Sequence, residues 1–351
     1  RDFLILHRGA QEGRIMQLVT SNDRRSLALW NLLGPFGRSV GFAGWWATWP
    51  AEPVRGWILS DRMARSRFTE WYEGARNDQL TFPDGLAKEL RPLAMDPLRP
   101  PMAEIAALAD WSPEELAQIQ AVQKPIMAHG PGVLKFSYCE QRTYEEMALR
   151  MLAKGQPDLA GVYLIAADPI SHTFWHYYEP AAFEGVDPLA AKRLGGVIPG
   201  IYRHNDDYLG RLLPLVGEDT VVMVVSDHGF EASGRVPRPT AASKFSHTFE
   251  PPAASAPSPE TVDLGQPGQH DRRGIFIAAG GPIRKGAAVQ ASVLDVAPTI
   301  LALLGLPVPE DMQGRVLEEI LDPEFLARHP VGKIRSYEEW ISRQPVSTVG
   351  P

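Results

Sequence analysis

Four short apolar runs stand out along the chain because polar residues do not alternate within them. They are residues 39–46 (SVGFAGWW), 162–167 (VYLIAA), 221–226 (VVMVVS) and 274–279 (GIFIAA). Runs of this length, rich in Val and Ile, predict buried strands of a parallel sheet covered on both faces. Helical spacing lies between them. Over residues 143–153, Tyr144, Met147, Ala148, Met151 and Leu152 share a face, Thr143 and Glu146 suggest a capping box, and Gly155 and Pro157 stop the pattern. A second helix is predicted over 201–213, ending before Pro214 and Gly217. A third is predicted over 294–304, capped by Ser292 or Asp295 and ended by Gly305 and Pro307. Strands alternating with helices predict an α/β domain.

Two regions break this rhythm. Residues 61–141 show no convincing strand but hold a helix start at Ser112-Pro113-Glu114-Glu115, with Pro at the first helical position, so a helical insertion or cap is expected there. Residues 237–269 are rich in Pro, Ser, Ala and Thr and are expected to form a long irregular loop.

Composition narrows the function classes. The 351 residues carry a formal net charge of −7, and no Lys/Arg cluster marks a nucleic-acid-binding surface. No apolar stretch is long enough to span a bilayer. The single cysteine, Cys139, rules out an intramolecular disulfide and a zinc site built on thiolates. It reads as an inert core thiol because no basic partner adjoins it in sequence. Any metal here has to be held by imidazole and carboxylate.

Such residues follow the predicted strands. Asp168 and His172 come after VYLIAA, four apart, so one helical turn sets them on a common face. Asp227 and His228 come after VVMVV, with Gly229 available for a bend that turns both inward. His270 precedes GIFIAA by four residues, so its approach is from a loop. In open α/β sheets ligands collect at the carboxyl ends of strands. Zinc takes His nitrogen and carboxylate oxygen, usually from three protein ligands in catalytic sites. Two such ions clamp a phosphoryl group and stabilise both attacking and leaving oxygens. Each motif alone is weak; together and in this order they form a metal-site signature.

The stretches YLIAADPISHTFWHYYEP, YRHNDDYLGRLLPLVGEDTVVMVVSDHGF, GQHDRRGIFIAAGGPIRKG and SVLDVAPTILALLGLPVPEDMQGRVLEEIL resemble the type I phosphodiesterase / nucleotide pyrophosphatase branch of the alkaline phosphatase superfamily. SNDRRSLALWNLLGPFGRSVGFAGWWATWPAEPVRGWILSDR resembles bacterial members. The resemblance implies a three-layer α/β/α sandwich with a mainly parallel sheet, two divalent ions (zinc), and hydrolysis of a small phosphorylated substrate, a phosphodiester or nucleotide pyrophosphate. It implies that Asp168, His172 and His270 hold one ion and that Asp227 and His228 hold part of the second. The family completes the second set with an Asp and a Thr or Ser nucleophile that forms a phospho-enzyme. Both are expected upstream of Arg1, so this stretch of chain is expected to be inactive by itself. Bacterial relatives suggest a periplasmic or extracellular compartment.

Other residues carry weaker readings. Thr48 is the in-chain hydroxyl that could substitute as nucleophile, although a backbone hydrogen bond is the plainer role. Trp45, Trp46 and Trp49 read as core. Trp175, His176, Tyr177 and Tyr178 stand close enough to the first motif for one to meet substrate, and His247 lies in the long loop. Asp206 and Asp207 read as a solvated helix face. A sulfatase would need a Cys or Ser in a C/S-x-P-x-R setting, which is not seen. The ligand order and inserted domain of a cofactor-independent phosphoglycerate mutase are not matched. A non-catalytic metal-binding homologue stays open.

Overall fold

In the computed structural model, which describes residues 4–8, 14–64, 78–122, 131–234 and 266–342, β1 (Leu4–Arg8) and β2 (Arg14–Leu18) pair antiparallel and precede a short helix, α1 (Leu29–Leu33). The central sheet then begins with β3 (Val40–Ala43), β4 (Gly56–Leu59) and β5 (Thr81–Phe82). Helices α2 (Gly85–Leu90), α3 (Met102–Ala106), α4 (Pro113–Ala121) and α5 (Pro131–Lys154) lead to β6 (Leu159–Val162). The sheet order is β5-β4-β3-β6, parallel throughout except at β5.

Side chains of the inner strands alternate between two apolar layers. Ala43, Trp57 and Leu59 face α5, meeting Tyr144, Met147, Ala148 and Met151. Val40, Phe42 and Ile58 face the opposite way, toward Trp30, Leu32 and Leu33 of α1 and toward Leu301 and Ala302 further along. A strand covered on both faces needs apolar residues at every position, and VGFA is buried at all four.

Beyond β6 the chain forms α6 (Ala167–Tyr178), α7 (Pro188–Leu194) and α8 (Val197–Leu212). Strands β7 (Val222–Val225), β8 (Gly229–Ala232), β9 (Gly268–Asp271) and β10 (Phe276–Ala279) follow, then α9 (Val296–Leu303), β11 (Val308–Pro309), α10 (Pro323–Arg328), β12 (Lys333–Ile334) and α11 (Tyr337–Ser342).

Several expectations are met at the residue level. Ser112 caps α4 as expected: its hydroxyl accepts from Glu115 N at 3.2 Å and the Glu115 carboxylate accepts from Ser112 N at 2.7 Å, an arrangement that contributes about 1 kcal/mol. Ser292 caps the turn before α9, with Asp295 closing the box. Asp206 and Asp207 are exposed on α8.

Other expectations are corrected. The strand near VYLIAA is Leu159–Val162, ending level with its partner Ala43; Tyr163 N still donates to Ala43 O, and Ile165 and Ala166 are buried beyond the end of the strand, Ala166 among helices. The runs at 221–226 and 274–279 form an antiparallel pair, β7 with β10, not parallel neighbours. One face of that pair is covered, where Phe276 and Ala278 pack on Leu317, Ile320 and Leu321. On the other, Ile277 stays 57% exposed. Thr143 does not start a helix. It lies in the middle of the 24-residue α5, where its hydroxyl donates to Cys139 O. Residues 61–141 include a strand, β5, and β4 is one that the pattern of apolar runs passes over. Residues 237–265 of the expected loop lie outside the described residues.

Cys139 is 1% exposed on α5, and burial pushes its thiol up to about 12. Native protein at pH 8 is therefore expected to leave this thiol unmodified by a disulfide reagent, with one equivalent released on denaturation. Fast native labelling would contradict the packing of α5.

Candidate metal centre

Three elements bring the polar residues together. Helix α6 carries Asp168 in its first turn and His172 one turn on, as the spacing of four requires. The β7–β8 turn carries Asp227 and His228. His270 is not on a loop: it lies within β9, opposite Phe230 of β8 in an antiparallel ladder. That ladder, unforeseen in the sequence, sets His270 in register beside the Asp-His-Gly turn. Gly229 also acts differently from expectation. It opens β8 without a positive φ, and what demands glycine is space, because a Cβ there would lie 2.3 Å from Arg273 O.

The donor atoms converge. His270 Nε2 is 3.0 Å from Asp168 Oδ1 and 2.9 Å from His172 Nε2. His172 Nε2 and His228 Nε2 lie 3.6 and 3.7 Å from the same carboxylate oxygen. Ligands about 2.1 Å from one tetrahedral ion stand about 3.4 Å from each other, so these separations fit a zinc-type donor set. Asp168, His228 and His270 offer atoms all within 4.8 Å of one another. Asp227 stands at the margin, its side chain 74% exposed and its Oδ1 3.7 Å from His228 Nε2. The four inner residues thus form one cluster, and His228 stacks on His270 at 3.6 Å between ring centroids.

Surrounding groups fix the imidazoles. His172 Nδ1 donates to Gly268 O at 2.8 Å, which leaves Nε2 bare and directed at the cluster. Burial lowers the His172 imidazole below its usual range, against the opposing pull of the Asp168 charge and the Gly268 carbonyl. The neutral form so favoured is the one that ligates metal. Phe230 meets the rings of His172, His270 and His228 at 4.9, 5.2 and 5.6 Å, and Trp175 stacks on Phe230 at 5.7 Å. Phe230 and Gly268 went unnoticed in the sequence, because an aromatic after Asp-His-Gly and a glycine before a histidine have no signal of their own.

The weaker candidates separate. Thr48 is fully buried; its hydroxyl donates to Trp45 O at 2.5 Å and accepts from Asp61 N at 3.0 Å, so it locks a turn and is not presented as a nucleophile. Trp45 is 39% exposed, contrary to a core role, and Trp49 carries the Arg62 guanidinium on its ring at 3.6 Å. Burial pushes His176 down to about 4, beside the rings of Tyr177 and Phe183. His247 lies outside the described residues.

Gly268 lets β9 touch α6 backbone to backbone: a Cβ there would sit 2.4 Å from Ser171 O. Gly268→Ala is therefore expected to push β9 off α6, break the His172–Gly268 bond and weaken zinc binding by at least about 10-fold in calorimetry. Unchanged affinity would show that the strand is free to shift without cost to the cluster.

No curated protein matches the chain by sequence. The family model of type I phosphodiesterase / nucleotide pyrophosphatase matches residues 41–241, a span that runs from β3 through the Asp-His-Gly turn. That family is one of hydrolases with an alkaline phosphatase-like α/β fold, in keeping with the mainly parallel central sheet. The match covers more than half of the sequence, and the chain belongs to the type I phosphodiesterase / nucleotide pyrophosphatase family.

Proposed function

We propose that the protein hydrolyses phosphodiester or nucleotide pyrophosphate bonds at a two-zinc centre, with Asp168, His172 and His270 serving one ion and Asp227 and His228 contributing to the other. The observation that supports a metal centre is the convergence of Asp168, His172, His228 and His270 from α6, the β7–β8 turn and β9, with His172 already held in its ligating tautomer by Gly268; the division of these residues between two ions rests on family resemblance. Bound ions would supply Lewis-acid polarisation of phosphoryl oxygens and a lowered pKa for an attacking hydroxyl. The chain's own residues supply the rest: Phe230 and Trp175 orient the rings, and the Gly268 carbonyl holds the proton on His172 Nδ1. The nucleophile in this reading is a Thr or Ser hydroxyl from outside the described residues, since Thr48 is buried and committed to backbone. Family resemblance favours diesters over monoesters and a periplasmic or extracellular compartment. Among the described residues no helix is long and apolar enough to cross a membrane.

The test is hydrolysis of bis(p-nitrophenyl) phosphate by the intact protein before and after chelation. Chelation should abolish turnover and zinc should restore it. His270→Ala and Asp227→Asn should each lower kcat/KM by more than about 100-fold, since groups that merely orient metal ligands already cost 10- to 100-fold. Near-normal rates in either variant would overturn the ligand assignment, and chelator-resistant turnover would overturn the metal mechanism.

A further inference from the structure

The long helix α5 carries a row of polar side chains that are buried where apolar ones would be expected: Gln141 and Glu145 are 0% exposed and Arg142 is 9% exposed. Gln141 uses its whole amide. Its Oε1 accepts from Ala166 N at 2.8 Å, and its Nε2 donates to Glu145 Oε1 and to Asn205 Oδ1, each at 2.8 Å. Glu145 is satisfied in turn. It accepts from Arg142 at 3.1 Å and lies 3.0 Å from His204 Nε2 through both oxygens. Burial pulls the Arg142 guanidinium down, and its hydrogen bonds to Glu146 and Glu104 more than offset this. Three helices are tied together: α5 through Gln141 and Glu145, α8 through His204 and Asn205, and the start of α6 through Ala166.

The point of attachment is what gives the network a role. Ala166 is the N-cap of α6, has no side chain able to cap, and follows three irregular residues after β6. Its N–H is buried and would cost about 1–3 kcal/mol if left unpaired. Two residues on is Asp168, the carboxylate around which the imidazoles gather. The Gln141 amide cannot flip without placing its NH2 against Ala166 N–H, so Glu145 and Asn205 fix its orientation and it fixes the backbone before Asp168.

We propose that Gln141 is a positioning residue for the metal centre, holding the first turn of α6, and with it Asp168 and His172, through its bond to Ala166 N. The inference rests on reading α6 as the carrier of two metal ligands. Its test includes a readout that needs no metal. In Gln141→Leu, amide exchange over residues 163–170 is expected to rise, zinc affinity to fall about 10- to 100-fold, and kcat to fall with KM within about 2-fold. Met147→Ala, on the sheet-facing side of α5, is the control for general destabilisation; it should lower the melting temperature while leaving both exchange at 163–170 and zinc affinity as in the parent. The exchanged pair Gln141→Glu/Glu145→Gln keeps an acceptor for Ala166 and a donor between the two side chains, and with the Asn205 amide turned so that its NH2 meets the new carboxylate it should recover most of the loss. Unchanged exchange at 163–170 in Gln141→Leu, or an exchanged pair no better than the single variant, overturns the proposal. A parent protein that binds no zinc, with exchange altered as expected, would overturn the ligand assignment and leave the role of Gln141 in placing α6 intact.

Discussion

The candidate centre depends on one close contact, that of β9 against α6. Gly268 brings two backbones together with no side chain between them, and its carbonyl takes the His172 Nδ1 proton. That contact brings His270 Nε2 to 3.0 Å from Asp168, a residue 102 positions earlier. Closure of so long a loop costs entropy that grows only slowly with length. The β8–β9 ladder then carries the Asp-His-Gly turn to the same place, because Phe230 opposes His270.

Behind α6 stands α5, which serves two masters along its length. One face supplies Met147, Ala148 and Met151 to the layer over β3 and β4. The other supplies Leu134 and Tyr138 to the cluster shared with α6 and α8, together with the buried polar row of Gln141, Arg142 and Glu145. A buried polar network with every member paired specifies one arrangement of the helices more sharply than apolar packing does, since an altered arrangement leaves groups unsatisfied. The sheet, α5 and α6 are thus connected in series.

Much of this was legible in the sequence where chemistry is local. Ser112 caps α4 as expected, Ser292 caps the short turn that leads into α9 instead of α9 itself, and Asp168 and His172 share a helix face because four residues make one turn. The family resemblance drawn from the metal motifs holds. What escaped was settled by tertiary context. Helix α5 begins at Pro131, twelve residues before the expected start, because Lys135, Glu140 and Arg142 break the apolar spacing although they are buried. Lys135 donates to the Gln120 and Val122 carbonyls at the end of α4, a partner that no local pattern reveals. VYLIAA reads as a strand because an apolar run does not say whether it is buried by a sheet or by helices, and only its first residue belongs to β6. The strand that presents His270, GQHD, is too short and too polar to show alternation, so its pairing with GFEA had no signature.

Whether zinc binds at this cluster is read most directly from the anomalous scattering of crystals grown with zinc, measured on both sides of the zinc absorption edge. A peak is expected among Asp168 Oδ1, His172 Nε2 and His270 Nε2, with a second toward His228 and Asp227 and the His172 Nδ1 bond to Gly268 preserved. Bound zinc elsewhere on the surface, with these side chains free of it, would contradict the assignment of this cluster as the metal centre.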